Sequence, residues 1–403
     1  MTKGLFFVYK MEKIRLIKST FLREEETKEK LCNFIKNANI LSMSSECKKF
    51  EEKFSSKQGR KYSVYVSNGS CANLLLVQVM LNTGKLKRGD KVFVSGLTWA
   101  TNVMPIIQLG LIPVLLDVEK ESFNVSSEIL KKGYENNSDI KCLFLTNALG
   151  FCSDIDNIKR FCEEKGILFL EDNCESLGSE YKQVKLGNFG VASTFSFFVG
   201  HHISTIEGGM ICTDDQELYE NLKLARAHGW TRNNSDEFKN KMKSNFDVDN
   251  FYNTYTFYDL AYNFRPTEIN GFIGNLQIDY WDDIVDKREY NFNKFHKAAS
   301  RNDDIFDLST EDMNIVSNFG FPLLFKNKEG FEKYRDLFID NMVEIRPIIG
   351  GNISKQPFFE KWAESNENYP NISEIHMNGF YFGNNPEMTE EEIGRIVKLL
   401  ESS

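Results

Sequence analysis

The sequence predicts an α/β chain: a large unit built on a mostly parallel sheet wrapped by helices, followed by a small α+β unit. Three observations predict it. Over residues 60–215, short apolar runs alternate with helical patterns. Several of those runs carry apolar residues in succession instead of alternating, as strands covered on both faces do. After about residue 285 the order becomes strand, helix, strand, strand, helix.

The expected strands are, in order, Val64-Tyr65-Val66, Val92-Phe93-Val94, Val114-Leu115-Leu116, Leu143-Phe144-Leu145, Ile167-Leu168-Phe169-Leu170 and Met210-Ile211-Cys212. Residues 71–81 are apolar and helical. Residues 155–165 form an amphipathic helix, with Ile155, Ile158, Phe161 and Cys162 at helical spacing and Gly166 as its stop. In the C-terminal part, residues 319–325, 343–349 and 379–382 read as strands and 329–341 and 390–400 as helices. Thr389 and Glu392 have capping-box spacing at the start of the last one. The expected organisation is an N-terminal segment 1–30 packing with the small unit, a large unit 31–285 and a small unit 286–403.

Composition excludes several classes. In 403 residues, 41% hydrophobic and 27% charged side chains are those of a globular chain, not a disordered or fibrous one. A net charge of -9 argues against a general nucleic-acid binder, which needs a basic face. The apolar run at residues 5–9 is too short for an export signal, and Met11 offers a second start. The apolar stretch 103–118 is broken by Gln108, Gly110 and Pro113, which makes it core and not a membrane span. The eight cysteines form no C-x-x-C pair and none follows Cys212, so no iron–sulfur cluster is expected. A reduced, cytoplasmic chain is the expectation.

Three segments carry chemistry. Ser67-Asn68-Gly69-Ser70 sits between a strand and a helix, an arrangement that offers backbone N–H groups to a phosphate; a plain strand-to-helix turn is the competing reading. The apolar strand ending in Asp172 places a carboxylate where open α/β sheets put their ligands, able to hold a protonated ring nitrogen; a helix cap competes. The third segment runs from Thr194 to Gly209 and contains His201-His202. Neighbouring residues diverge, and His228, His296 and His376 have no ligand spacing, so no metal is expected.

Ser196-Phe197 and Glu207-Gly208-Gly209 frame that segment in a way that resembles the DegT-type sugar-nucleotide aminotransferases, fold-type I (aspartate aminotransferase-like) enzymes that use pyridoxal phosphate. The resemblance extends to Gly69-Ser70, Trp99, Asp172 with Glu175, Arg226-Ala227-His228-Gly229-Trp230, Tyr262-Asn263-Phe264-Arg265-Pro266 and Arg346-Pro347. One departure decides the chemistry. His201 stands at the position of the family's lysine, and no lysine occurs between Lys185 and Lys223. An imidazole cannot tether the cofactor covalently, but with an ordinary pKa near ~6.5 it can move a proton.

The chain is therefore similar to the family's 3-dehydratases, which work with the cofactor's amine form, pyridoxamine phosphate. The resemblance implies removal of the C3 hydroxyl from a GDP-4-keto-6-deoxy sugar, hexose or heptose, in dideoxysugar biosynthesis for lipopolysaccharide or capsule, with L-glutamate restoring the amine. His201 would take a proton from the cofactor's C4′ carbon and give one to the leaving hydroxyl. Asp172 would pair with the pyridinium nitrogen, Trp99 stack on the ring, and Gly69, Ser70 and Ser196 hold the phosphate. Glu175 would sit by O3′. Asn263 would reach the phosphate of a neighbouring subunit in a homodimer with shared active sites. His228, Arg232, Arg265 and Arg346 are candidates for substrate contacts or for a supporting place near the site. Two alternatives remain at this point. An ordinary sugar aminotransferase is opposed by the missing lysine. A non-catalytic PLP-binding homologue is opposed by the retention of Asp172, Ser196 and Trp99.

Overall fold

The computed structural model describes residues 12–364 and 368–402. The apolar run at residues 5–9, Met11 and the beginning of the expected segment 1–30 lie outside the described residues.

The strands are β1 (Tyr62–Val66), β2 (Lys91–Ser95), β3 (Ile112–Leu116), β4 (Cys142–Thr146), β5 (Leu168–Asp172), the short β6 (Glu180–Tyr181) and β7 (Val184–Lys185), β8 (Ala192–Ser196) and β9 (Gly209–Thr213). All but β6 and β7 join one seven-stranded sheet in the order β1-β9-β8-β5-β4-β2-β3. From β3 to β8 the pairing is parallel, while β9 runs antiparallel to both neighbours. Each expected apolar run lies within or overlaps one of these strands.

β8 is the strand that the apolar runs pass over. Ala-Ser-Thr-Phe-Ser carries one large apolar side chain, yet all five residues are buried. Its burial comes from its place between β5 and β9, and small polar side chains fit there because neighbours bond them. Thr194 Oγ1, for example, donates to Asn73 Oδ1 at 2.6 Å.

The helix Gly69–Asn82 begins at the N-cap Asn68, whose side chain accepts from Cys71 N. The helix Ile155–Lys165 ends at Gly166 with φ 65°, the left-handed stop that glycine suits.

The C-terminal unit holds a second, antiparallel sheet. After β10 (Met313–Ile315), which pairs with β6, come β11 (Gly320–Leu324), β12 (Ile345–Pro347) and β13 (Gly379–Gly383), in the order β11-β13-β12. The helix Glu390–Leu400 closes the chain, and both bonds of the Thr389/Glu392 capping box form. The long helix Trp281–Ala299 runs unbroken through residue 286 and packs on Glu390–Leu400. From the N-terminal side, Ile14 pairs with Val343 and Lys18 Nζ meets Glu392 Oε2 at 2.6 Å.

The main core spans both units. A second cluster includes six aromatic side chains, Phe50, Phe54, Tyr65, Phe195, Phe197 and Trp281. Edge-to-face pairs at 5.0–5.6 Å hold it together. It fixes Phe197, four residues before His201.

Candidate active site

Strand alternation sends the two carboxylates at the end of β5 to opposite faces. Glu171 turns away from the cavity described below. It accepts from the backbone N–H groups of Gly187, Phe189 and Gly190 at 2.6–2.8 Å, pinning the loop that leads into β8. Asp172 turns to the cavity. Its Oδ2 accepts from Asn73 Nδ2 at 2.8 Å and Asn102 Nδ2 at 2.6 Å, and its Oδ1 from Cys174 N at 2.8 Å.

A cavity of ≈ 500 Å³ opens at this carboxyl edge of the sheet, within the range of small-molecule sites. The strand end, the turn at residues 68–70, the loop at 198–207 and residues Phe319, Ile349 and Tyr381 of the C-terminal unit enclose it, with Leu16 and Ile17 beside them. Among its lining residues are Gly69, Ser70, Trp99, Asp172, Glu175, Ser196 and His201, so seven expected site residues share one cavity.

Each is placed by its local structure. Gly69 and Ser70 open the helix Gly69–Asn82, whose first N–H groups have no helical partner. A Cβ on Gly69 would stand 2.7 Å from Ser196 Cβ, so only glycine lets the turn approach β8 this closely. On the other side of the turn, Gly209 passes Asn68: an added Cβ would meet the Asn68 carbonyl oxygen at 2.3 Å. Trp99, the N-cap of Ala100–Gln108, is 56% exposed and turns its indole to the cavity.

The loop after β8 folds back on itself. Phe197 N donates to Gly208 O, Thr205 N to Phe197 O, and Asn270 Nδ2 to Thr205 O. Ile206 takes a left-handed φ of 71° in it, a strained geometry for a β-branched residue. His201 lies between the rings of Phe198 and Phe319, with centroids at 5.7 and 5.4 Å. One edge of the imidazole opens to the cavity, while Nδ1 is buried with no hydrogen-bond partner. Burial, with the Arg288 guanidinium adding to it, pulls the His201 pKa down to about 4. That corrects the near-neutral value expected from the residue type: the imidazole is uncharged at neutral pH because its surroundings disfavour imidazolium. His202 points the other way. Its Nε2 lies 3.0 Å from Ser317 O, and burial holds its pKa well below the ordinary value.

Glu175 is perturbed as well. Oε2 accepts from Leu149 N at 2.9 Å, and Leu149 has a left-handed φ of 53°. Burial raises its pKa to about 7, and Asp172 adds to the rise.

The remaining expected residues do not line this cavity. Asn263, which accepts from Arg265 Nε at 2.8 Å, is exposed, and so are Arg265, His228 and Arg232. The Arg232 guanidinium lies 5.4 Å from the centre of the Trp230 ring, and exposed Arg346 pairs with Glu344. Residue patterns passed over Asn73, Asn102 and Arg288. An asparagine inside the apolar helix at 71–81 was the available signal for Asn73, because a buried amide needs a polar partner. Arg288 left no such signal in an ordinary amphipathic helix.

The residues present fit pyridoxal phosphate. A carboxylate held by three donors, an exposed indole, and a helix N-terminus kept open by glycine suit a ring nitrogen, an aromatic face and a phosphate respectively. Among the described residues, no lysine lines the cavity and no group of His, Cys, Asp or Glu is arranged to hold a metal ion.

The fold and the cavity are those of a vitamin B6 enzyme family, and the chain belongs to the DegT/DnrJ/EryC1/StrS aminotransferase family, whose model matches residues 22–401. It is 34% identical to the GDP-4-keto-6-deoxy-D-mannose 3-dehydratase of Yersinia pseudotuberculosis over 370 residues, covering 90% of this chain and 93% of that one. The E. coli GDP-4-keto-6-deoxy-D-mannose 3-dehydratase with bound hydrated PLP superposes with a TM-score of 0.87 at 30% identity, covering 97% of this chain and 100% of that chain. A GDP-4-keto-6-deoxymannose 3-dehydratase structure with a trapped PLP–glutamate geminal diamine matches with a TM-score of 0.87 at 30% identity, covering 96% and 100% of the two chains.

Proposed function

We propose that this chain is a pyridoxamine phosphate-dependent 3-dehydratase. It removes the C3 hydroxyl of a GDP-4-keto-6-deoxy sugar to give the 4-keto-3,6-dideoxy product, with L-glutamate returning the cofactor to its amine form. The observation that carries this is an uncharged imidazole, His201, at the cavity position where the family signature has a lysine, with no lysine among the described lining residues. When bound, the cofactor supplies an amine to meet the substrate's ketone and a conjugated ring that accepts electrons.

The chain's own residues do the rest. Asp172 pairs with the ring nitrogen; Asn73, Asn102 and Cys174 N fix its orientation. Gly69, Ser70 and Ser196 bind the phosphate, and Trp99 covers the ring. His201 enters uncharged, takes the proton from the cofactor's C4′ carbon and passes one to the departing C3 oxygen. A base that starts neutral serves both steps in that order. Glu175, a neutral acid below about pH 7, donates towards the cofactor's O3′.

The reading includes a homodimer in which Asn263 reaches the partner's phosphate, with His228, Arg232, Arg265 and Arg346 near the shared site. Its support is an exposed apolar run beside Asn263: Phe246, Phe251, Tyr252, Tyr255, Phe257 and Leu260 are all at least 59% exposed. It also divides the chain into an N-terminal segment to residue 30, a cofactor-binding unit to 285 and a small unit beyond, and places the enzyme in the cytoplasm.

The test is incubation with GDP-4-keto-6-deoxy-mannose, PLP and L-glutamate, followed by mass analysis. Loss of the C3 oxygen with release of ammonia is expected. A 4-amino sugar would make the chain an aminotransferase, and no turnover of any 4-keto-6-deoxy nucleotide sugar would make it a non-catalytic binder.

A further inference from the structure

Arg288 lies on the helix Trp281–Ala299, is 3% exposed, and reaches the back of the His201 loop from outside the cavity. Nη2 donates to the His201 backbone carbonyl at 2.9 Å. Nη1 donates to Asn318 O at 3.2 Å and to Asn384 O. Asn384 locks the arrangement: its Nδ2 donates to Arg288 O at 2.8 Å and to Asn318 Oδ1 at 2.7 Å. The guanidinium thus ties the histidine loop to two segments of the C-terminal unit.

The pairing is unusual in one respect. Every bond it makes goes to a neutral carbonyl, and Nε is buried without a partner. Among the described residues Arg288 has no carboxylate within 4.0 Å, the ion-pair limit. A buried arginine is normally paired with an acid, because an unbalanced charge in a poorly polarisable interior is expensive. Here the charge stays unbalanced behind the histidine, and burial brings its own pKa down only to about 9, so it remains mostly protonated at neutral pH.

We propose that Arg288 is the positioning residue for His201, an unneutralised buried cation that grips the main chain at that residue and adds to the bias of its surroundings against imidazolium. The other groups around the ring do not replace it. Phe198, Phe319 and Tyr381 are neutral, and His202 is held neutral by burial. Glu387, beside the same small pocket as Arg288, meets the Ser19 hydroxyl instead. Asp172, Glu175 and Glu207 are the acids lining the cavity, and a carboxylate close to the ring would act in the opposite direction. Without the cation behind it, the ring would hold its proton at higher pH.

This rests on His201 as the proton-moving group, and the test separates the two ideas. Histidine side-chain resonances of the pyridoxamine phosphate-loaded protein are titrated by NMR, with His201 assigned by its absence in His201→Asn. In the unsubstituted protein His201 should titrate at least one pH unit below 6.5. Arg288→Lys should preserve that value. Arg288→Met should raise it by about one unit, move the acid limb of kcat/KM up by the same amount, and lower kcat more than it changes KM. A His201 titration at or above 6.5 in the unsubstituted protein overturns the proposal even if Arg288→Met fails to fold. An unmoved titration in folded Arg288→Met, or a rise with lysine equal to that with methionine, overturns it as well. If the titrations behave as expected and no dehydration occurs, the functional reading fails and the role of Arg288 stands.

Discussion

The two walls of the cavity are built to opposite rules. On the strand wall, Asp172 accepts three hydrogen bonds: Thr194 orients one donor, Asn73, and the chain following β5 supplies another, Cys174 N. On the loop wall, His201 has an unpartnered Nδ1, Ile206 sits in a strained backbone conformation, and Arg288 keeps its charge without a counter-ion. A carboxylate gripped by three donors keeps one orientation, which suits a fixed partner for a ring nitrogen. An under-bonded imidazole near an unneutralised cation can exchange its proton, which suits a group that must accept and then donate. The contrast separates the part of the site that holds from the part that reacts.

The sharpest way to break this contrast is to replace the reacting group. His201→Lys should abolish dehydration, with turnover falling by at least ~10²-fold, the scale of a lost acid–base catalyst. Borohydride reduction followed by mass analysis should then find the cofactor attached to the new lysine. Dehydration at the normal rate would remove His201 from the proton path.

The holding wall should answer differently. Asp172→Asn loses a charge-assisted bond to the ring nitrogen, worth roughly 1.5–3 kcal/mol, and should weaken pyridoxamine phosphate binding by about 10- to 100-fold in a fluorescence titration. Asn73→Ala or Asn102→Ala should weaken it less, because each removes one of the donors that hold the carboxylate. Equal losses in all three would mean that the amides and the carboxylate act as one unit.

Glu175 lies between the walls and tests the contrast through pH. Its folded pKa of about 7 lies above the ordinary value of 4.5, so folding favours the protonated acid. That contribution is complete below about pH 4.5 and is lost as pH rises through about 7. Chemical denaturation should therefore show stability falling by roughly 2–3 kcal/mol across this window, and Glu175→Gln should flatten that part of the profile. A profile unchanged by the substitution would place the carboxyl in a more polar setting than its burial indicates.

The smallest effect is expected far from both walls. Thr389→Ala removes a capping box from the helix Glu390–Leu400 and should lower stability by about 1 kcal/mol while leaving cofactor affinity unchanged. A change in affinity would couple the closing helix to the cavity through its contact with Trp281–Ala299.

Much of this was legible in the residue order. Apolar runs marked six strands of the large sheet, because a strand buried on both faces must be apolar on both. Gly166 and Thr389 marked helix ends, because those positions demand particular backbone or side-chain chemistry. The family signature brought out Asp172, Ser196 and His201, and with them the absence of a lysine. β8 stayed hidden, since its burial is conferred by neighbours and not by its own side chains.

What the chain order determined alone was therefore local: where strands and helices begin, which turn needs glycine, and that an imidazole replaces an amine. Tertiary structure decided how those groups behave. Asn73 and Arg288 are distant in sequence from the groups they serve, and a pKa near 4 for one histidine belongs to its burial and its charged neighbour, not to its residue type. Charge and desolvation act through space, so their consequences appear only once the fold has brought the groups together.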